Sequence, residues 1–294
     1  MSLTIFTPTY NRRQNLEPLY RALCAQSCMN FVWLIVDDGS LDDTGTYVEK
    51  WSHDTRLSIT CIQQKNQGKH IAMRTGIQEC KTEWFICVDS DDLLTPDAVE
   101  RMYDNIVEKK NQEGIGFIYP RYGYNGVRQG GWIPEDIAMI HIMDAKELFN
   151  VAETAILLKT KYLKKIDIPQ FPGENFLSEE IIYNLMAING KIWVKKEKIY
   201  LAEYRDDGLT KSIFRMWVKN PKGVYLLLLS RYKASESYPW KKKMISRIKC
   251  IINYNAFSIA KHKSKFLLES PSILLSIATL APSIFFYWKR YVKN

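Results

Sequence analysis

The run Asp89-Ser90-Asp91-Asp92 places three carboxylates in four residues, directly after the apolar stretch Trp84-Phe85-Ile86-Cys87-Val88. Side chains of this kind, crowded together, repel one another and suit a hard divalent cation. Mg²⁺ or Mn²⁺ is commonly bound through one or two carboxylates plus substrate phosphates. The same run also reads as an acidic turn that opens the next helix through Leu93-Leu94-Thr95-Pro96, because Asp is a favoured N-cap.

The elements that would position these carboxylates alternate in type. Strands are expected from Leu3 to Thr7, Phe31 to Val36, Leu57 to Ile62 and Trp84 to Val88. Helices are expected from Arg12 to Gln26, from Asp42 or Asp43 to Trp51, from Gly68 to Cys80 and from Pro96 to Lys109. Near-continuous apolar strands separated by helices imply a mostly parallel sheet covered on both faces. Ligands bind such sheets outside the carboxyl ends of the strands. Those ends carry Thr7-Pro8-Thr9-Tyr10-Asn11-Arg12, Asp37-Asp38-Gly39-Ser40, Lys65-Asn66-Gln67-Gly68-Lys69 and Asp89-Ser90-Asp91-Asp92. An aromatic, several carboxylates, an amide and a lysine on one rim can stack a base, bond a ribose and hold a metal–diphosphate. Neither a Gly-x-Gly-x-x-Gly run nor a Walker-type loop is present, so a metal must do more of the phosphate handling.

These four segments, in this order and spacing, resemble the family 2 glycosyltransferases, inverting nucleotide-sugar enzymes of the GT-A fold. The resemblance covers residues 3–96 and implies roles position by position. Thr7, Pro8, Tyr10, Arg12, Asp38, Asn66, Lys69, Asp89 and Ser90 would bind the donor nucleotide. Asp91, with Asp89, would ligate Mn²⁺ or Mg²⁺ at the diphosphate, leaving Asp92 to begin the following helix. Inverting transfer also needs a carboxylate to take the acceptor hydroxyl's proton. Ser178-Glu179-Glu180 stands where the family commonly has Glu-Asp, so Glu180 is the expected base and Glu179 its rival. N-capping by Ser178, with acids in the first helical turn, is the structural alternative. Arg205 and Arg215 are candidate diphosphate contacts.

Charge divides the chain. Residues 1–190 carry 19 Lys and Arg against 26 Asp and Glu, whereas residues 191–294 carry 22 against 6. An acidic first half argues against a nucleic-acid groove there, and no nucleic-acid partner is expected. The basic half suits nucleic acid, an anionic membrane or a phosphate-bearing substrate, and composition does not choose among them. Within it, residues 270–288 lack any charge, but four serines, a threonine and Pro282 interrupt them. A re-entrant or interfacial segment through about 266–290 is therefore expected, at the cytoplasmic face of the cell membrane, with a true span or a soluble helical core as the alternatives. No charged-then-apolar leader is seen, and the six cysteines show no C-x-x-C pair, which fits reduced thiols.

The sequence thus predicts an α/β GT-A catalytic domain over residues 1–215, with a nucleotide-binding half (1–110) and an acceptor half (111–215). A basic helical, membrane-associating region would follow over 216–294. The expected activity moves a sugar from a UDP-sugar to a hydroxyl of a lipid-linked or growing surface polysaccharide. A nucleotidyltransferase on the same sheet type, or a non-catalytic basic membrane-binding protein, are the alternatives.

Overall fold

All seven residues of β1 (Leu3–Thr9) are buried, and the sheet is built outward from that strand. The computed structural model describes residues 2–151, 153–203 and 213–293. They fall in two compact units, Met1–Ile168 with Asn189–Tyr204, and Pro169–Ile188 with Arg205–Asn294.

In the first unit β1 is followed by α1 (Arg13–Cys24), β2 (Phe31–Asp37), α2 (Thr44–Ser52), β3 (Ser58–Gln63), α3 (Lys69–Glu79) and β4 (Trp84–Cys87). Next come β5 (Leu93–Leu94), α4 (Ala98–Glu108), β6 (Gly116–Tyr122), β7 (Met139–Ile140), α5 (Asp144–Phe149), β8 (Thr154–Lys159) and α6 (Thr160–Leu163). The second unit contributes α7 (Glu180–Met186), and the chain then returns to the first for β9 (Ile192–Val194) and β10 (Tyr200–Leu201).

Among the described residues the sheet has ten strands. Eight run in the order β3-β2-β1-β4-β8-β6-β10-β5, with β9 joining β6 and β7 joining β9. The pairs β1–β2, β1–β4 and β2–β3 are parallel, as the apolar runs separated by helices require; β8 is antiparallel to both β4 and β6. Helix α1 buries Leu16, Leu19 and Leu23, spaced to lie on one helical face. Helix α3 passes so close to β1 that a Cβ on Gly76 would come within 2.2 Å of the Phe6 ring.

The expected helix after Asp92 begins later than the sequence suggests. Leu93-Leu94 pairs antiparallel with Tyr200-Leu201, and the helix starts only at Ala98. Asp92 is therefore no N-cap.

The second unit also holds α8 (Ile213–Lys219), α9 (Pro221–Ala234), α10 (Trp240–Ala260), α11 (Ile273–Ala278) and α12 (Leu280–Tyr287). Its division from the first unit differs from the expected boundary at residue 215, because residues 169–188 pack with the helices. Asn184 donates to Ser230 Oγ at 2.8 Å, and Glu174 accepts the backbone N–H groups of Lys222 and Gly223, both at 2.9 Å. A carboxylate on the first turn of α9 meets N–H groups that have no partner within the helix.

The uncharged 270–288 stretch is broken at Thr279 into α11 and α12. Among the described residues, no helix is long and apolar enough to cross a membrane. The two short helices are inside-out. Ser276 and Ser283 are fully buried, and Asn255 of α10 donates to the Ser276 carbonyl at 3.0 Å. Leu274, Ile277, Ile284, Phe285 and Trp288 instead face solvent, Leu274 at 82% exposure.

Candidate active site

The loops after β1 and β2 are stitched together. Asn11, in a left-handed conformation at φ 51°, donates its N–H to Ser40 Oγ at 2.8 Å, and its side-chain oxygen accepts the Leu41 N–H at 2.7 Å. Asp37 Oδ1 in turn accepts both the N–H and the hydroxyl of Ser40, at 3.0 and 2.5 Å. This bracing leaves Tyr10 projecting at the strand end, 43% exposed. Pro8, two residues earlier on β1, is buried. Thr7 is wholly buried and its hydroxyl accepts from the Trp33 indole at 3.0 Å, so it faces the core and not the rim.

Asp38 is buried and organises the loop into α3. Its Oδ1 accepts from Gln64 Nε2 at 2.7 Å and from the Gln67 N–H at 3.0 Å; its Oδ2 accepts the Gly68 N–H at 2.7 Å. Gly39 lets this loop approach, because its φ is +81° and a Cβ there would lie 2.8 Å from the Asn66 nitrogen. Asn66 itself is exposed beside that contact. The loop delivers Lys69 to Asp89, with Nζ 2.8 Å from Oδ1 and 3.0 Å from Oδ2.

At the end of β4 each carboxylate has a different basic neighbour. Asp89 is half-buried; burial works against its ionisation, but Lys69 outweighs this and holds the carboxyl below the usual range. Asp91 lies 4.0 Å from Arg12, and its backbone carbonyl accepts from the Tyr124 hydroxyl at 2.8 Å. Asp92 is buried against Arg121 at 2.9 Å and accepts from the Tyr200 hydroxyl at 2.7 Å. Burial, with the negative charges of Asp89 and Asp91, pushes Asp92 up to about 7 against the opposing pull of Arg121 and Tyr200. The Tyr200 hydroxyl also accepts the Asp89 N–H at 3.2 Å, so it bridges the two ends of the tetrad. Ser90 is buried between them.

Carboxylate oxygens of Asp89, Asp91 and Asp92 lie within 4.8 Å of one another. Opposite oxygens around a six-coordinate Mg²⁺ or Mn²⁺ are about 4.2 Å apart, so the residues fit such an ion after a small adjustment. Each of the three carboxylates also has a basic neighbour, Asp89 with Lys69 on both oxygens, Asp92 with Arg121 and the Tyr200 hydroxyl, and Asp91 with Arg12 at the longer 4.0 Å.

Sequence reasoning missed Arg121, Tyr200 and Gln64. Arg121 had one visible signal, a lone cation within the strand-like run Phe117-Ile118-Tyr119-Pro120-Arg121-Tyr122.

The expected base lies in the helical unit. Glu180 opens α7 and is held by the fork of Arg231, with Nε 2.5 Å from Oε1 and Nη2 2.6 Å from Oε2. Glu179 is the residue before it, partly exposed. Arg215 is exposed on α8, and Arg205 lies outside the described residues.

A mostly parallel α/β sheet with acidic residues at its strand ends is consistent with the GT-A fold of nucleotide-sugar transferases. The comparisons agree. Residues 4–167, more than half the chain, match the family model Glycosyl transferase family 2. The chain belongs to that family, and it is a glycosyltransferase.

Among its relatives, glycosyltransferase GlyG of Streptococcus pneumoniae is 24% identical over 74% of this chain and 76% of its own length. TarS of Staphylococcus aureus, a poly(ribitol-phosphate) beta-N-acetylglucosaminyltransferase, is 24% identical over 71% of this chain; the match spans only 36% of TarS. The crystal structure of TarS 1-349 with UDP-GlcNAc superposes with a TM-score of 0.63 at 17% identity, covering 98% of this chain and 89% of that one. A mannosyltransferase from Pyrobaculum calidifontis, in complex with GDP-Man and Mn²⁺, gives a TM-score of 0.52 at 14% identity over 99% and 88%. At these identities the two structures establish the shared fold.

Proposed function

We propose that the rim of β1–β4 binds a UDP-sugar with Mn²⁺ or Mg²⁺, and that the enzyme transfers the sugar with inversion to a hydroxyl of a surface-polysaccharide acceptor. The observation that carries this reading is the convergence of Asp89, Asp91 and Asp92 at one strand end, beside exposed Tyr10. Tyr10 offers a ring for the base, and Asp38 fixes the loop that borders it. Asp91 and Asp89 hold the cation, which when bound neutralises charge on the departing diphosphate. Arg12 and Lys69 supply further positive charge at the same edge.

Glu180 takes the proton from the acceptor hydroxyl, oriented by the Arg231 fork; Glu179 is the competing assignment. Arg205 and Arg215 are proposed diphosphate contacts. The acceptor is lipid-linked or a growing polysaccharide. The inside-out face of α11 and α12, flanked by Lys289, Arg290 and Lys293, rests on the anionic cytoplasmic face of a membrane. TarS, named for a poly(ribitol-phosphate) acceptor and crystallised with UDP-GlcNAc, supports this substrate class.

Turnover of a panel of UDP- and GDP-sugars, with Mn²⁺ or with chelator, tests the reading. Metal-dependent release of UDP from one UDP-sugar is expected. Release of pyrophosphate, or turnover confined to GDP-sugars, would sink it.

A further inference from the structure

The opposite edge of the same sheet carries a cavity that the transfer reaction does not use. It has a volume of about 510 Å³ and opens where β4 and β6 begin and β8 ends. That volume lies within the range of small-molecule sites, roughly 300–1,000 Å³. The tetrad follows the other end of β4, about 13 Å of strand away for four residues.

The walls and the rim differ in chemistry. Trp84, Ile106, Phe117 and Trp193 form an apolar, largely aromatic interior. Gly114 leaves room for the Trp193 indole, since a Cβ there would meet Nε1 at 2.6 Å. Around this interior stand six lysines, with Glu83 the one acid among the lining residues. Lys109 Nζ lies 4.6 Å from the centre of the Trp193 ring, and Lys159 Nζ 5.6 Å from that of Trp84. Burial and the charge of Lys161 hold Lys159 below the ordinary lysine range. The charge of Lys161 acts against that of Lys159, and an anion placed beside the two offsets this repulsion. Lys109 is paired with Glu108 at 2.8 Å, but Lys81, Lys161 and Lys164 stand exposed at the rim.

We infer that this cavity is a second ligand site, which takes a phosphate monoester carried on an apolar body. The body fills the aromatic interior and the phosphate meets the lysine rim. A lone phosphate would leave the walls wet, and an uncharged apolar molecule would leave Lys159 and Lys161 in mutual repulsion. Because the cavity and the tetrad lie at opposite ends of the same strands, both ligands bind together without competing.

Calorimetric titration of the full chain with 1-naphthyl phosphate, n-decyl phosphate, inorganic phosphate and 1-naphthol tests the inference. At least one of the two esters is expected to bind tenfold or more tightly than either inorganic phosphate or naphthol, and which one does so distinguishes a flat from an aliphatic body. Exchange of Lys161→Gln with Lys164→Gln, both exposed, should weaken the ester at least tenfold. Saturating UDP with Mn²⁺ should leave the titration unchanged. Absence of ester binding, equal binding by the double variant, equal binding of naphthol, or displacement by UDP would each overturn the inference.

Discussion

Replacing Asp38 by Asn keeps its shape and separates two roles the residue can play. The wild-type carboxylate accepts from Gln64 Nε2, the Gln67 N–H and the Gly68 N–H, all within 3.0 Å, and is buried. An Asn amide turned one way presents NH₂ to the Gly68 N–H; turned the other way, it presents NH₂ to Gln67 and Gln64. Gln64 cannot flip without loss, because its Oε1 accepts from Thr75 Oγ1 at 2.7 Å. At least one part-buried backbone N–H is therefore stranded, at about 1–3 kcal/mol, and the surviving bonds lose their charge assistance. The sum is about 2–4 kcal/mol, and at roughly 2–4 °C per kcal/mol the melting temperature should fall on the order of 10 °C. Thermal unfolding followed by near-ultraviolet circular dichroism measures it. A fall within 1 °C of zero, with donor affinity lost, would show that these bonds do not hold the loop and return Asp38 to a purely ligand-binding role.

Gly39→Ala should destabilise by about 1–3 kcal/mol in urea, through its positive φ and the clash with Asn66, while Gly131→Ala, open on all sides, should stay within about 0.5 kcal/mol. Equal effects would remove the close-approach argument. Glu180→Gln should lower sugar transfer about 10²–10⁴-fold with donor affinity kept, and Glu179→Gln far less; the reverse order makes Glu179 the base, and full activity in both excludes the pair. The full chain should sediment with vesicles containing anionic lipid, less so as salt rises, and Leu274→Glu with Phe285→Glu should abolish this. Equal sedimentation by that double variant would dismiss the α11–α12 face as the membrane contact.

What could be read before the structure was the framework of β1–β4 and the rim after them. Apolar runs closed abruptly by polar breakers locate strand ends without tertiary information, and a parallel sheet brings those ends to one edge. The partners that fix each side chain were not readable in this way. Asp92 meets Tyr200 across 108 positions of chain, and the two-residue strands that bring them together, Leu93–Leu94 and Tyr200–Leu201, are too short to show any periodicity. A helix cap was the local reading of Asp92, and long-range pairing displaced it. Residues 169–188 illustrate the same limit: Asn184, Glu174 and Glu180 choose partners on α9, near 220–231, so contact and chain order divide the molecule differently. The serines of 270–288 read as interruptions of an apolar segment, whereas burial of Ser276 and Ser283 turns the apolar side chains outward.

In the proposed mechanism Asp91 and its neighbours hold a cation for the donor's diphosphate. Titration of UDP into wild-type protein and into Asp91→Asn, each with Mn²⁺ and with chelator, tests it most directly. UDP affinity should depend on Mn²⁺ in the wild type, and the variant should stay folded but bind at least tenfold more weakly with the metal present. Wild-type affinity that ignores the metal, or a variant that binds UDP and Mn²⁺ as the wild type does, would contradict it.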